Sequence, residues 1–121
     1  MINGHVSALH LLVPVRFRLQ DKPDVSIEFV VDTGFTGSLS LPQEAVTALG
    51  LPFLYEWNAR LADDSTVVLP VYEATIFWGG IDLVVHVLAS GQRPLLGTEL
   101  LDGYELTAQF QEGGFVSIEP I

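Results

Sequence analysis

The sequence predicts an all-β, barrel-like domain with one or two short helices. Residues alternate between apolar and polar along most of the chain, and clusters of Gly, Pro and Asp punctuate the runs. Only two short stretches read as helix, so the expected architecture is seven or eight short strands around one core.

Leu9 to Leu19 is rich in Leu and Val, then alternates through Val15, Phe17 and Leu19 with Arg16 and Arg18 opposite. Gln20 to Asp24 forms a turn around Pro23 and the aspartates. Val25 to Val31 alternates and then becomes wholly apolar, as a strand does on entering a core. Leu39-Ser40-Leu41-Pro42 is a short extended piece; Pro42 opens a helix over Gln43 to Leu49, which Gly50 stops. Tyr55 to Leu61 and Thr66 to Trp78 flank a polar hairpin tip, Ala62-Asp63-Asp64-Ser65. Gly79-Gly80 suits a tight hairpin turn into Ile81 to Ala89. After the Ser90-Gly91-Gln92 loop and Arg93-Pro94-Leu95-Leu96-Gly97, a second helix is expected from about Thr98 to Leu101. Tyr104 to Phe110 and Phe115 to Ile118 make a last hairpin across Gly113-Gly114.

Length and composition bound the function. A chain of 121 residues forms one domain, 1–121, and buries roughly two-thirds of its unfolded surface. With 49% apolar and only 17% charged residues, it either buries much internally or covers surface with a partner. A net charge of −10, against the five cations Arg16, Arg18, Lys22, Arg60 and Arg93, argues against nucleic acid as partner, because counterion release needs a cationic stripe. The same balance disfavours anionic membrane surfaces. There is no cysteine, hence no disulfide, thiol nucleophile or thiolate metal site. The longest apolar stretches, such as Leu83 to Ala89, are strand-sized, and the N-terminus lacks a cationic start before an apolar region; a cytoplasmic protein is expected.

The chemistry concentrates in Asp32-Thr33-Gly34, at the end of the apolar run Ile27 to Val31. A carboxylate delivered by a buried strand into a glycine turn is costly for packing alone, and makes sense if the group must be held rigid and half-desolvated. Asp and Gly are also ordinary turn residues, so the tripeptide acquires meaning from its surroundings. A second small-residue turn, Thr36-Gly37, follows at once. A weak internal echo pairs Val30-Val31-Asp32-Thr33-Gly34 with Leu95-Leu96-Gly97-Thr98, and only the first copy carries an aspartate.

With these features the chain resembles the retropepsin-like aspartic proteases, in particular small bacterial single-domain members. The resemblance rests on Val31-Asp32-Thr33-Gly34-Phe35-Thr36-Gly37 followed by Leu39-Ser40-Leu41-Pro42, on Leu61 to Ser65 at the place of the flap, on Val71-Tyr72-Glu73-Ala74, and on Pro94 to Leu101. It implies a closed acid-protease-like β-barrel, one domain per chain and two chains per active site. A homodimer would bring Asp32 from each chain together to hydrolyse peptide bonds in a peptide or protein substrate, with no metal or cofactor. Thr33 would brace the site across the dimer, Gly34 would let its N–H approach the carboxylate, and Leu96 and Gly97 would support the Asp32 turn. Ala62, Asp63, Asp64 and Ser65 would cover an extended substrate.

Two departures stand out. Phe35 occupies a position where many relatives carry Ala or Ser, which removes a hydroxyl partner for the carboxylate unless Thr36 replaces it. The tip carries Asp63 and Asp64 in place of the several glycines of viral flaps, which would favour basic substrates if either approached the dyad. These departures motivate the alternative of a dimeric peptide-binding or scaffold domain of little or no catalytic activity.

Other residues have plainer readings. His5, His10 and His86 lack metal-site spacing, and His86 reads as a half-buried strand residue. Gly37-Ser38-Leu39 lacks the second glycine of a nucleophile elbow, and Gly34-Phe35-Thr36-Gly37 lacks the lysine of a phosphate loop. Trp57 and Trp78 read as core or interface. Glu44, Glu56, Asp63, Asp64 and Glu73 read as solvated surface, and Glu99 and Asp102 as helix-end charges.

Overall fold

A computed structural model describes residues 1–121. The elements run β1 (Ile2–Ser7), β2 (His10–Arg18), β3 (Val25–Val31), β4 (Leu39–Leu41), α1 (Gln43–Leu49), β5 (Phe53–Arg60), β6 (Thr66–Trp78), β7 (Ile81–Ala89), β8 (Leu95–Leu96), a 3-10 helix (Thr98–Leu101), β9 (Tyr104–Ala108) and β10 (Phe115–Pro120). All are β apart from one two-turn helix and the 3-10 turn, as the alternating pattern predicts. No helix is long and apolar enough to cross a membrane.

The strands form one sheet in the order β5-β6-β7-β4-β8-β3-β2-β1-β10-β9, with β6 also pairing to β2. The ladders β2-β3-β8-β4-β7-β6 therefore return to β2, through Arg16↔Phe77, Phe17↔Ile76 and Arg18↔Thr75. Inside this circuit lies the core, with Val13, Val15, Phe17, Phe29, Leu39, Leu41, Ile76, Val87 and Leu96 all fully buried. Period-two alternation puts Val13, Val15 and Phe17 inward and Arg16 outward. The Phe17 and Phe29 rings stack at 6.0 Å between centroids, and burying each contributes about 1.5–3 kcal/mol.

Strand β1 lies outside the expected strands. It pairs with β2 (His5↔Leu12) and with β10 (Ile2↔Ile118), bringing the two ends of the chain side by side. The reversal into β2 falls on Ala8 and Leu9, at φ of 51° and 67°. Left-handed backbone costs an L-residue roughly 1–2 kcal/mol, so this turn normally announces itself with Asn or Gly. Here neither is present, and the pattern does not mark the boundary.

The helix is bounded as expected: Pro42 precedes it, and the Gly50 N–H donates to Thr47 O (3.1 Å) at its end. Strand β6 has 13 residues and does two jobs. Thr66 to Tyr72 pair with β5, Val71 to Trp78 pair with β7, and Thr75 to Phe77 also pair with β2, so that Thr66 to Pro70 have β5 as their one neighbour. Strands β5 and β6 thus carry a hairpin beyond the body. Its edge strand exposes Phe53, Tyr55 and Trp57 and buries only Ala59. Trp78 is a core residue, whereas Trp57 is 47% exposed and not core.

Candidate active site

Two loops build the site, and short strands force them together. Strand β8 lies between β3, to which it runs parallel (Val31↔Leu96), and β4, to which it runs antiparallel (Leu39↔Leu96). The ends of β3 and β8 therefore emerge side by side. The Asp32 N–H donates to Leu96 O (2.9 Å), extending the ladder one residue past β3 and fixing the backbone from which the carboxylate projects.

Beyond Asp32 the chain folds back. Phe35 N–H donates to Asp32 O (3.1 Å), and Gly34 N–H donates to Asp32 Oδ1 (2.9 Å). A Cβ on Gly34 would sit 3.3 Å from that oxygen, tighter than an ordinary contact, so glycine permits the approach. The second loop locks onto the first at three points: Gly97 N–H to Ser38 O (2.9 Å), Thr98 N–H to Phe35 O (2.8 Å) and Glu99 N–H to Gly37 O (3.3 Å). Leu96 is fully buried beneath the turn. The internal echo in the sequence thus corresponds to two physically interlocked turns.

Phe35 is part of this lock. A Cβ on Gly97 would fall 2.7 Å from the Phe35 ring and 2.1 Å from Gly37 O, and a Cβ on Gly37 would fall 2.8 Å from the same ring. The ring fills space that two glycines leave open, which a small residue at position 35 would not do. Thr36 is exposed and donates no bond to Asp32, so the bond from Gly34 is the one the carboxylate accepts within the chain. Asp32 itself is half-buried and Thr33 exposed.

Hollows lie on both sides of the Asp32 turn. On one side Val31 and Thr33 join Leu9, Leu11, Leu106 and Phe110 in a largely apolar depression. On the other, a cavity of about 480 Å³ runs from Gly34–Leu39 to Tyr55 and Trp57 of β5 and His86 and Leu88 of β7. The hairpin therefore reaches this cavity through Tyr55 and Trp57, not through Ala62 to Ser65. His86 is exposed rather than half-buried; its Nδ1 lies 3.4 Å from the Tyr55 hydroxyl, with the rings edge-on. Glu99, read from the sequence as a helix-end charge, accepts a 2.6 Å hydrogen bond from Ser38 Oγ and faces the same cavity. Only its place after Leu96-Gly97-Thr98 in the echo could have drawn attention to it.

At the hairpin tip Asp63 accepts bonds from the Ser65 N–H and hydroxyl, which hold its carboxyl below the usual carboxylate range. Asp64 takes the left-handed position (φ 66°) that closes the turn. The Asp63 carboxylate is thereby engaged within the tip, whereas Asp64 closes the turn through its backbone. A carboxyl held low stabilises the folded tip above its unfolded pKa, and this contribution is lost as pH falls through the folded value. Ser65→Ala should raise the Asp63 pKa toward the ordinary range in an NMR titration; an unchanged value would contradict this account.

No family model matches the sequence, and no curated relative matches it. Among solved structures, the chain is similar to a retropepsin-like aspartic protease from Rickettsia conorii, with a TM-score of 0.58 over 100% of this chain and 91% of that one, at 18% identity. The likeness is one of fold, which is retropepsin-like.

Proposed function

We propose that the protein is a homodimeric aspartic endopeptidase whose catalytic dyad is Asp32 of one chain with Asp32 of its partner. The observation that carries this reading is the Asp32 turn itself: a half-buried carboxylate, gripped by Gly34 N–H and braced by Leu96, in a retropepsin-like fold. Two adjacent carboxylates do not both ionise readily, so one keeps a proton and the pair titrates in two steps. The ionised member takes a proton from a bound water, which attacks the peptide carbonyl, and the protonated member donates to the carbonyl oxygen. Neither step calls for a metal.

A second chain fits the apolar depression on the Thr33 side, where Leu9 and Phe110 are 75% and 64% exposed. We take that face as the one that pairs, with Thr33 bracing the partner turn. An extended peptide would lie under the β5–β6 hairpin, against Tyr55 and Trp57. The test is cleavage of a peptide mixture over a range of protein concentration. Activity per chain should rise through the dimer dissociation constant and be blocked by a pepstatin-type mimic of the tetrahedral intermediate. Full activity from a strictly monomeric protein would contradict the shared site.

Phe35 favours a second reading, a dimeric peptide-binding domain with little hydrolysis, because it leaves Asp32 without a hydroxyl partner from that position. Saturable peptide binding without cleavage across the pH range would support it.

A further inference from the structure

The cavity beside the Asp32 turn is apolar along its walls and acidic at one end. Phe35, Leu39, Trp57, Val71 and Leu88 supply the walls, and Glu99 stands where this cavity meets a smaller hollow under Leu83 to Val85. A space of about 480 Å³ falls within the roughly 300–1,000 Å³ usual for ligand pockets.

Glu99 is held but not neutralised. Buried Ser38 donates to its Oε1 at 2.6 Å, orienting the carboxylate. The ion pairs of the chain are His5–Glu28, Arg18–Asp24 and Arg18–Asp82, so no cation of the chain lies within 4.0 Å of Glu99. No Lys or Arg lines the cavity, and the His86 imidazole is turned to the Tyr55 hydroxyl. An exposed, oriented carboxylate in a cavity lined by aliphatic and aromatic side chains, among them the exposed Trp57 indole, matches a long side chain with a cationic end. The stem of such a side chain would pack on Leu88 and Phe35, the Trp57 face would attract the cation, and Glu99 would accept its hydrogen bond.

We propose that this cavity receives a lysine or arginine side chain of a bound peptide, and that Glu99 selects its charge. The proposal rests on the protease reading only in taking the peptide to be a substrate. Selectivity for basic residues then arises at Glu99 rather than at Asp63 and Asp64 of the hairpin tip, which line neither this cavity nor the smaller hollow.

The test is binding, measured so that cleavage is not needed. Labelled peptides carrying lysine or uncharged norleucine at each position in turn are titrated against the full-length Asp32→Asn protein by fluorescence polarisation. At one position lysine should bind about tenfold more tightly than norleucine. Glu99→Gln in the same background keeps an acceptor for Ser38 and should bring that ratio to within about twofold; Glu99→Lys should invert it in favour of a glutamate peptide. A lysine preference that survives Glu99→Gln, or no preference at any position, would overturn the proposal. The two readings fail separately: if the unmodified protein cleaves nothing while the Glu99-dependent ratio is found, the pocket stands and the protease does not. Cleavage without such a ratio reverses that outcome.

Discussion

Asp32→Asn is expected to lower peptide cleavage by a factor on the order of 10²–10⁴ while leaving the fold and the dimer intact. The substitution removes the ionisable group but keeps an oxygen that can accept the Gly34 N–H, and the Asp32 backbone bond to Leu96 does not involve the side chain. Asn cannot take a proton from water at this site, and two amides cannot share one proton, so the loss should fall on kcat with little change in KM. Circular dichroism and sedimentation should match the unsubstituted protein. Undiminished cleavage by the variant would remove Asp32 from the chemistry.

Gly97→Ala should be among the most damaging small substitutions for stability, and the one that strikes the Asp32 turn directly. Its Cβ would sit 2.1 Å from Gly37 O and 2.7 Å from Phe35 O, both backbone atoms in turns tied by several hydrogen bonds, so neither can retreat cheaply. Overpacking of this kind costs typically about 1–3 kcal/mol, and rigid backbone on two sides places this case at the upper end. For a chain of this size each kcal/mol moves the melting temperature by about 4 °C, so a fall of about 12 °C is expected in a thermal melt. The same shift would splay the Asp32 turn and lower activity in the protein that remains folded. A melting temperature within about 2 °C of the parent would show that the two turns are not locked as described.

The parts of the fold legible in the sequence are those where local chemistry and tertiary structure agree. The period-two pattern of β2 and β3, the Pro42 and Gly50 bounds of α1 and the Gly79-Gly80 hairpin all follow from residue type. Strand β1 did not, because Ala8 and Leu9 turn the chain in a conformation that their side chains disfavour; the pairing of β1 with both β2 and β10 carries that turn. The relation between the Asp32 turn and Leu96-Gly97 was legible as an echo, since both are strand ends closed by a small residue. The place of Phe35 was not, because its ring is accommodated by glycines at 37 and 97 that are distant from one another in sequence. The plainer readings of Glu99 as a helix-end charge and His86 as a half-buried strand residue have the same cause: each looks ordinary in its own segment, and they come to one cavity only when β4, β7 and β8 lie side by side.

Subunit mixing tests the central claim most directly. Unsubstituted and Asp32→Asn chains are combined in varying ratio above the dimer dissociation constant, allowed to exchange, and assayed for peptide cleavage. If each site draws one Asp32 from each chain, mixed dimers are inactive and activity follows the square of the unsubstituted fraction, about one quarter at equal parts. Activity linear in that fraction, about one half at equal parts, would mean that each chain works with its own residues and would contradict a shared dyad.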